Sequence, residues 1–170
     1  MTDRLFFALW PSVEQRLALT RIQRELVPDH PRTTHPEDLH ITLVFLGDMT
    51  PAQRSCAEAA ADRVSSAPVR LVLDRIDFFR RAQVLWCGPS ERPGTLVELV
   101  GALNKELFDC GFLPESRAYT PHVTLARNAR PIDGCDLTPS IVWPADELVL
   151  ATTDGKPAPR YRILRRWPLA

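Results

Sequence analysis

His40-Ile41-Thr42-Leu43 and His122-Val123-Thr124-Leu125 are two copies of one pattern, histidine, aliphatic, threonine, leucine, set about half a chain length apart. In a chain of this composition, random placement would produce two such matches about once in ten thousand trials, so chance is a poor account of the repeat. An extended strand points successive side chains to opposite faces. Each copy therefore puts its histidine and threonine on one face and its two aliphatics on the other. The aliphatics anchor each strand in a core, while His40, Thr42, His122 and Thr124 are left to converge on a cleft between them. A single strand histidine is usually a hydrogen-bonded structural residue. The duplication reverses that reading.

The elements around the motifs are read from local signals. Leu5 to Trp10 is a first strand. Pro11-Ser12 opens a helix in which Ser12 and Gln15 have capping-box spacing, with Val13, Leu17 and Leu26 on its buried side. Pro28 to Pro36, with His30 and His35, is a loop by its proline and polar content. The first motif strand covers Asp38 to Leu46. Thr50, Pro51 and Gln53 start a second, alanine-rich helix that runs to Ser65. Val69 to Phe79 alternates and then changes phase, the mark of a bulged strand, and Val84 to Cys87 is its partner. Thr95 to Cys110 carries a helical apolar stripe stopped by Gly111. The second motif strand spans His122 to Arg127. A Pro- and Gly-containing connector follows, then strands at Glu147 to Thr152 and Tyr161 to Trp167.

Strands separated by helices would also suit a parallel doubly wound sheet, but no glycine-rich phosphate loop follows any strand. The favoured fold is α+β and bilobal: a duplicated single domain over 1–170, two antiparallel-rich sheets with helices outside, and a central cleft carrying the two motif strands. At 170 residues one substantial core is available.

Composition narrows the function further. Formal net charge is +0, from 21 basic and 21 acidic residues, so no overall field gathers nucleic acid and any RNA contact is local. Lys105 and Lys156 are the only lysines. Cys56, Cys87, Cys110 and Cys135 form no C-x-x-C pair and are read as reduced, buried small residues. No stretch approaches the roughly 20 apolar residues of a membrane span. A monomeric protein of the cytoplasm, without cofactor or metal, is the expectation; threonine is a poor ligand for zinc or iron, although His30 and His35 could supplement the histidine pair.

Two imidazoles with ordinary pKa near 6.5 make a complete acid–base pair, one neutral and one protonated near neutral pH. Threonine hydroxyls and backbone amides can hold the nonbridging oxygens of a phosphate.

The segments Arg4 to Leu9, Pro36 to Leu43, Phe45-Leu46-Gly47 and Pro121 to Arg127, with the closing stretch Tyr161 to Leu169, resemble the two-histidine (2H) phosphoesterases, closest to the RNA 2′,3′-cyclic phosphodiesterases historically called 2′-5′ RNA ligases. The resemblance implies metal-independent opening of a terminal 2′,3′-cyclic phosphate to a 2′-phosphate, with weak 2′-5′ ligation by the same groups. It implies that His40 donates a proton to the departing 3′ oxygen, that His122 activates water, and that Thr42, Thr124 and Arg127 bind phosphate. Phe45, Tyr119 and Trp86 are candidates for stacking on the terminal base. Thr33-Thr34 stands where the family has a tryptophan, which predicts a less aromatic cleft rim. Competing readings are a hydrolase of small cyclic phosphates, such as a cyclic nucleotide or ADP-ribose cyclic phosphate, and a noncatalytic RNA- or nucleotide-binding module.

Overall fold

The computed structural model describes residues 1–170. Eight strands and three helices follow the chain: β1 (Asp3–Leu9), α1 (Val13–Leu26), β2 (Ile41–Met49), α2 (Pro51–Asp62), β3 (Val69–Phe79), β4 (Val84–Gly88), α3 (Gly94–Phe108), β5 (Val123–Arg127), β6 (Cys135–Ala145), β7 (Glu147–Thr153) and β8 (Tyr161–Pro168). The strands make one sheet in the order β6-β3-β4-β5-β2-β1-β7-β8, and every neighbouring pair is antiparallel.

The expectation of two sheets is corrected in one respect. Reading outward from the centre, β2-β1-β7-β8 and β5-β4-β3-β6 are two runs of four strands, but Ile41 pairs with Val123, so the runs are hydrogen-bonded into a single sheet at that one position.

One sheet face packs on the helices. Leu5, Phe7 and Leu9 of β1, Ile41 and Leu43 of β2, and Val123 and Leu125 of β5 are buried there against Leu19 of α1 and Leu96, Leu99 and Leu103 of α3. The other face carries a smaller cluster of Phe6, Ala8, Val149 and Ala151 and, on the β4 side, the buried Trp86 stacked on Phe79, and is otherwise open. β1 is thus buried on both sides, and its unbroken apolar run follows from that position.

Helix boundaries follow their caps. Thr50 Oγ1 accepts the Gln53 N–H at 3.2 Å, and Gln53 Oε1 accepts the Thr50 N–H at 3.0 Å, with Pro51 opening the helix. The chain turns after α3 at Gly111, whose φ of 86° lies in the region open to glycine.

Four further expectations are corrected. The buried side of α1 is Gln15, Leu19, Ile22 and Gln23, whereas Val13, Leu17 and Leu26 are exposed. The glutamines are buried because they have partners: Gln15 donates to the Val142 carbonyl at 3.3 Å, and Gln23 to those of Thr34 and Leu125 at 3.0 and 2.9 Å. Residues Cys135–Ala145, read as a connector, form β6; as an edge strand it tolerates Pro139 and Pro144, and Ile141, Trp143 and Ala145 alternate inward. The first motif strand begins at Ile41, because Pro36–Asp38 form a short 3-10 turn. Finally, packing of α2 on α3 brings Cys56 and Cys110 to a Cα separation of 5.8 Å in a disulfide; only Cys87 is both free and buried, and Cys135 is free and exposed.

Candidate active site

Ile41 and Val123, opposite each other at the centre of the sheet, are both completely buried on the helix side. The residues flanking them must therefore face the open side. In an antiparallel pair, one step from this position brings His40 toward Thr124, and one step the other way brings Thr42 toward His122. The two motifs meet head to tail, each histidine beside the other motif's threonine.

Both imidazoles are anchored alike. A carbonyl oxygen only accepts, so His40 Nδ1–H donates to the Asp38 carbonyl at 2.6 Å, and His122 Nδ1–H donates to the Thr120 carbonyl at 2.8 Å. In the neutral rings Nε2 is left with a lone pair. That of His40 accepts the Thr42 hydroxyl at 3.0 Å.

Both histidines are pushed away from their ordinary pKa. Burial drives His40 down to about 4, with the positive field of His122 and Arg127 adding to it and the Asp38 carbonyl opposing. His122 is lowered by burial and by Arg127, against the Thr120 carbonyl. Arg127, exposed at the end of β5, thus acts on both rings. Its own N–H donates to the Arg32 carbonyl at 3.0 Å.

The rim is aromatic, contrary to the expectation drawn from Thr33-Thr34. Trp10 stacks on His40 with ring centroids 4.9 Å apart and planes 9° from parallel. Phe6 lies 5.0 Å from the same ring, and Tyr161 meets it edge-on at 5.2 Å. Around His122, Phe79 sits edge-on at 4.9 Å and Trp86 at 6.0 Å. These rings come from β1, β3, β4 and β8 and from Trp10 just beyond β1, while Thr33 and Thr34 are spent on backbone pairing with Ala126 and Leu125.

The other sequence candidates are placed differently. Trp86 is buried beside Thr124, and its indole N–H has no partner. Tyr119 is half-buried and donates its hydroxyl to the Thr42 carbonyl at 3.0 Å, which ties the approach to β5 onto β2 rather than offering a ring for stacking. Phe45 is on the open face, because the β1–β2 ladder slips between Phe7 and Ala8 and pairs Phe45 with Phe6. It lies three residues, roughly 10 Å, beyond Thr42, with the Arg4 guanidinium 5.0 Å from its ring centroid. His30 and His35 are absorbed locally: His35 Nδ1 accepts the Glu37 N–H at 3.2 Å and His30 Nδ1 the Arg32 N–H at 3.2 Å.

Sequence reading missed Trp10, Tyr161 and Asp38. Asp38 is 3% exposed, and its carboxylate accepts the backbone N–H groups of Arg160 and Tyr161 at 2.8–3.1 Å. One residue thus orients His40 through its carbonyl and delivers Tyr161 through its side chain. Its position two residues before the motif histidine was the available signal; for Trp10 and Tyr161 there was none short of the strand order.

An Nε2 on each side of a cleft, threonine hydroxyls between, and one arginine near both fit a single small anion, with a proton acceptor where a ring is neutral and a proton donor where a ring has taken up a second proton.

The model of the 2′-5′ RNA ligase superfamily matches residues 9–157. The RNA 2′,3′-cyclic phosphodiesterase of Escherichia coli (strain K12) is 27% identical over 173 residues, covering 98% of this chain and 97% of that protein. The protein of the same name from Geobacillus stearothermophilus is 32% identical over 178 residues, covering 96% of this chain, which spans 56% of that longer relative. The crystal structure of E. coli LigT complexed with 3′-AMP superposes with a TM-score of 0.88 at 26% identity, over 99% of both chains.

Proposed function

The chain belongs to the 2′-5′ RNA ligase superfamily, and from that premise we propose that it hydrolyses the terminal 2′,3′-cyclic phosphate of RNA to a 2′-phosphate, without metal, using His40 and His122 as acid and base. The observation that carries this reading is the matched anchoring of the two rings: each Nδ1–H is held by a backbone carbonyl two residues upstream, and each Nε2 is left for chemistry on one face of the sheet.

In the reaction, His122 Nε2 takes a proton from water as its oxygen bonds to phosphorus. The bond from phosphorus to the 3′ oxygen breaks, and His40 Nε2–H delivers a proton to that oxygen. Thr42, Thr124 and Arg127 hold the nonbridging oxygens. In the free site burial keeps His40 neutral near pH 7. The bound phosphate anion supplies the opposite charge that makes protonation of His40 favourable, so the acid forms when substrate arrives. The Thr42 hydroxyl, which donates to His40 Nε2 in the free site, is then released to the phosphate. A 5′-hydroxyl in place of water would join two ends by a 2′-5′ linkage with the same proton transfers.

We read the two four-stranded runs as lobes of one duplicated domain over 1–170, acting as a monomer in the cytoplasm where RNA ends are processed. The test is a short RNA ending in a 2′,3′-cyclic phosphate, incubated with the protein in excess EDTA. The expected product carries a 2′-phosphate and a free 3′-hydroxyl. Absence of turnover by folded protein on RNA, with turnover of a small cyclic phosphate, would overturn the RNA assignment and leave the acid–base pair standing.

A further inference from the structure

A cavity of about 480 Å³ adjoins the histidine cleft but contains none of its four motif residues. It lies where β1 ends and α1 begins, against β8 and the turn from β6 to β7. Trp10 and Tyr161 are shared between the two spaces: both rings contact His40, and both line the cavity. Trp10 is fixed by its indole N–H, which donates to the Glu37 carbonyl at 3.2 Å. The parallel His40 imidazole covers one face of the indole, Phe6 and Tyr161 pack near it with ring centroids 6.4 and 6.5 Å away, and Trp10 still contributes to the cavity wall.

The polar groups of the wall say what kind of ligand fits. Arg16 and Arg166 are accompanied by Glu37, Asp146 and Glu147, and Arg166 is held by Glu147 at 2.8 Å. With two guanidinium groups against three carboxylates, the cavity has no excess positive charge and is a poor phosphate site. Balanced donors and acceptors beside an indole instead match the flat face and polar edge of a nucleobase with its ribose hydroxyls. The volume is in the range of pockets that hold ligands of this size.

We propose that this cavity is a subsite for the nucleotide immediately 5′ to the cyclic end, whose base stacks on Trp10 while the cyclic phosphate lies between His40 and His122. The inference rests on the RNA-end reading above and deepens it. The enzyme would read two nucleotides, the reacting one in the cleft and its neighbour behind the Trp10 wall.

The experiment compares kcat/KM for a dinucleotide ending in a 2′,3′-cyclic phosphate with that for the mononucleoside 2′,3′-cyclic phosphate. Each ratio is taken within one protein, so a change in folded fraction cancels. The wild type is expected to favour the dinucleotide by about tenfold, the scale of stacking one base on an aromatic side chain. Val13→Trp fills the cavity from a position that is 60% exposed, so the core is not displaced. Arg16→Ala removes a wall group. Both are expected to bring the ratio toward one. Turnover of both substrates by wild type at equal kcat/KM, or a preference that survives Val13→Trp, would overturn the subsite and leave the proposed chemistry intact. Turnover of neither substrate would overturn both.

Discussion

Ile41 lies opposite Val123 in the one residue pair that joins β2 to β5. Both side chains are wholly buried toward the helices, which turns the histidine and threonine on either side of each toward the open face. The seam of the sheet is therefore also the floor of the site, and a change that disturbs the seam disturbs all four motif residues together.

Replacing either histidine by alanine should lower turnover of a cyclic-phosphate RNA end by roughly 100- to 10,000-fold, with the double variant falling little further because the two act as a unit. Rates from single-turnover assays, with circular dichroism to confirm folding, check this. Residual activity within a few-fold of wild type in His122→Ala would exclude it as the base.

The same histidines make stability pH-dependent. In the unfolded chain His40 takes up a proton near 6.5, but in the fold only at about 4. Between those values the unfolded state binds more protons. The contribution is therefore fully present above pH 6.5 and is lost progressively as pH falls toward 4. Urea midpoints measured from pH 7.5 to 4.5 should decline, and His40→Gln should flatten the decline. An unchanged slope in that variant would assign the effect elsewhere.

Asp38→Ala leaves the N–H groups of Arg160 and Tyr161 without their carboxylate partner and frees Tyr161 from its place beside His40. A loss of about 1–3 kcal/mol is expected, with kcat falling more than KM rises. Asp38→Asn, which keeps one acceptor oxygen, should be intermediate. Wild-type kcat in the alanine variant would show that Tyr161 is not positioned through Asp38.

A methyl group on Gly88 would sit 2.6 Å from the Pro121 carbonyl oxygen and 2.9 Å from the Trp86 ring. Because Pro121 precedes His122 and Trp86 packs on it, β4 in Gly88→Ala must push against the His122 side of the site. The expected cost is about 1–3 kcal/mol with reduced kcat, read by thermal melting and steady-state kinetics.

The Cys56–Cys110 bond closes a separation of 54 residues on the helix side, away from the histidines. Cys56→Ser, or reductant added to the wild type, should remove about 2–4 kcal/mol without changing kcat. A melting temperature indifferent to reductant would mean the pair contributes nothing to stability.

The two motif strands, the face each presents, the α+β class and most helix starts can be read along the chain, because those rest on local rules: the two-residue period of a strand, the capping of Thr50 by Gln53, and the stop at Gly111. His40, Thr42, His122 and Thr124 stood out as candidates for the same reason, since a motif is a local object and its repetition is visible without knowing what it packs against, whereas Arg127 lies outside the repeat and entered only through the family resemblance. The rest depends on contacts between distant segments. Val13 and Leu17 are apolar yet exposed, while Gln15 and Gln23 are polar yet buried, because distant carbonyls at Val142 and Leu125 satisfy the amides. β6 was hidden by its prolines, which cease to be a penalty at a sheet edge whose position depends on the order of all eight strands. The aromatic walls around the histidines come from strands remote in sequence, and Cys56 meets Cys110 only because α2 packs on α3. Long-range pairing has no periodic signature in the chain; it follows from which surfaces are left to bury once the local elements have formed.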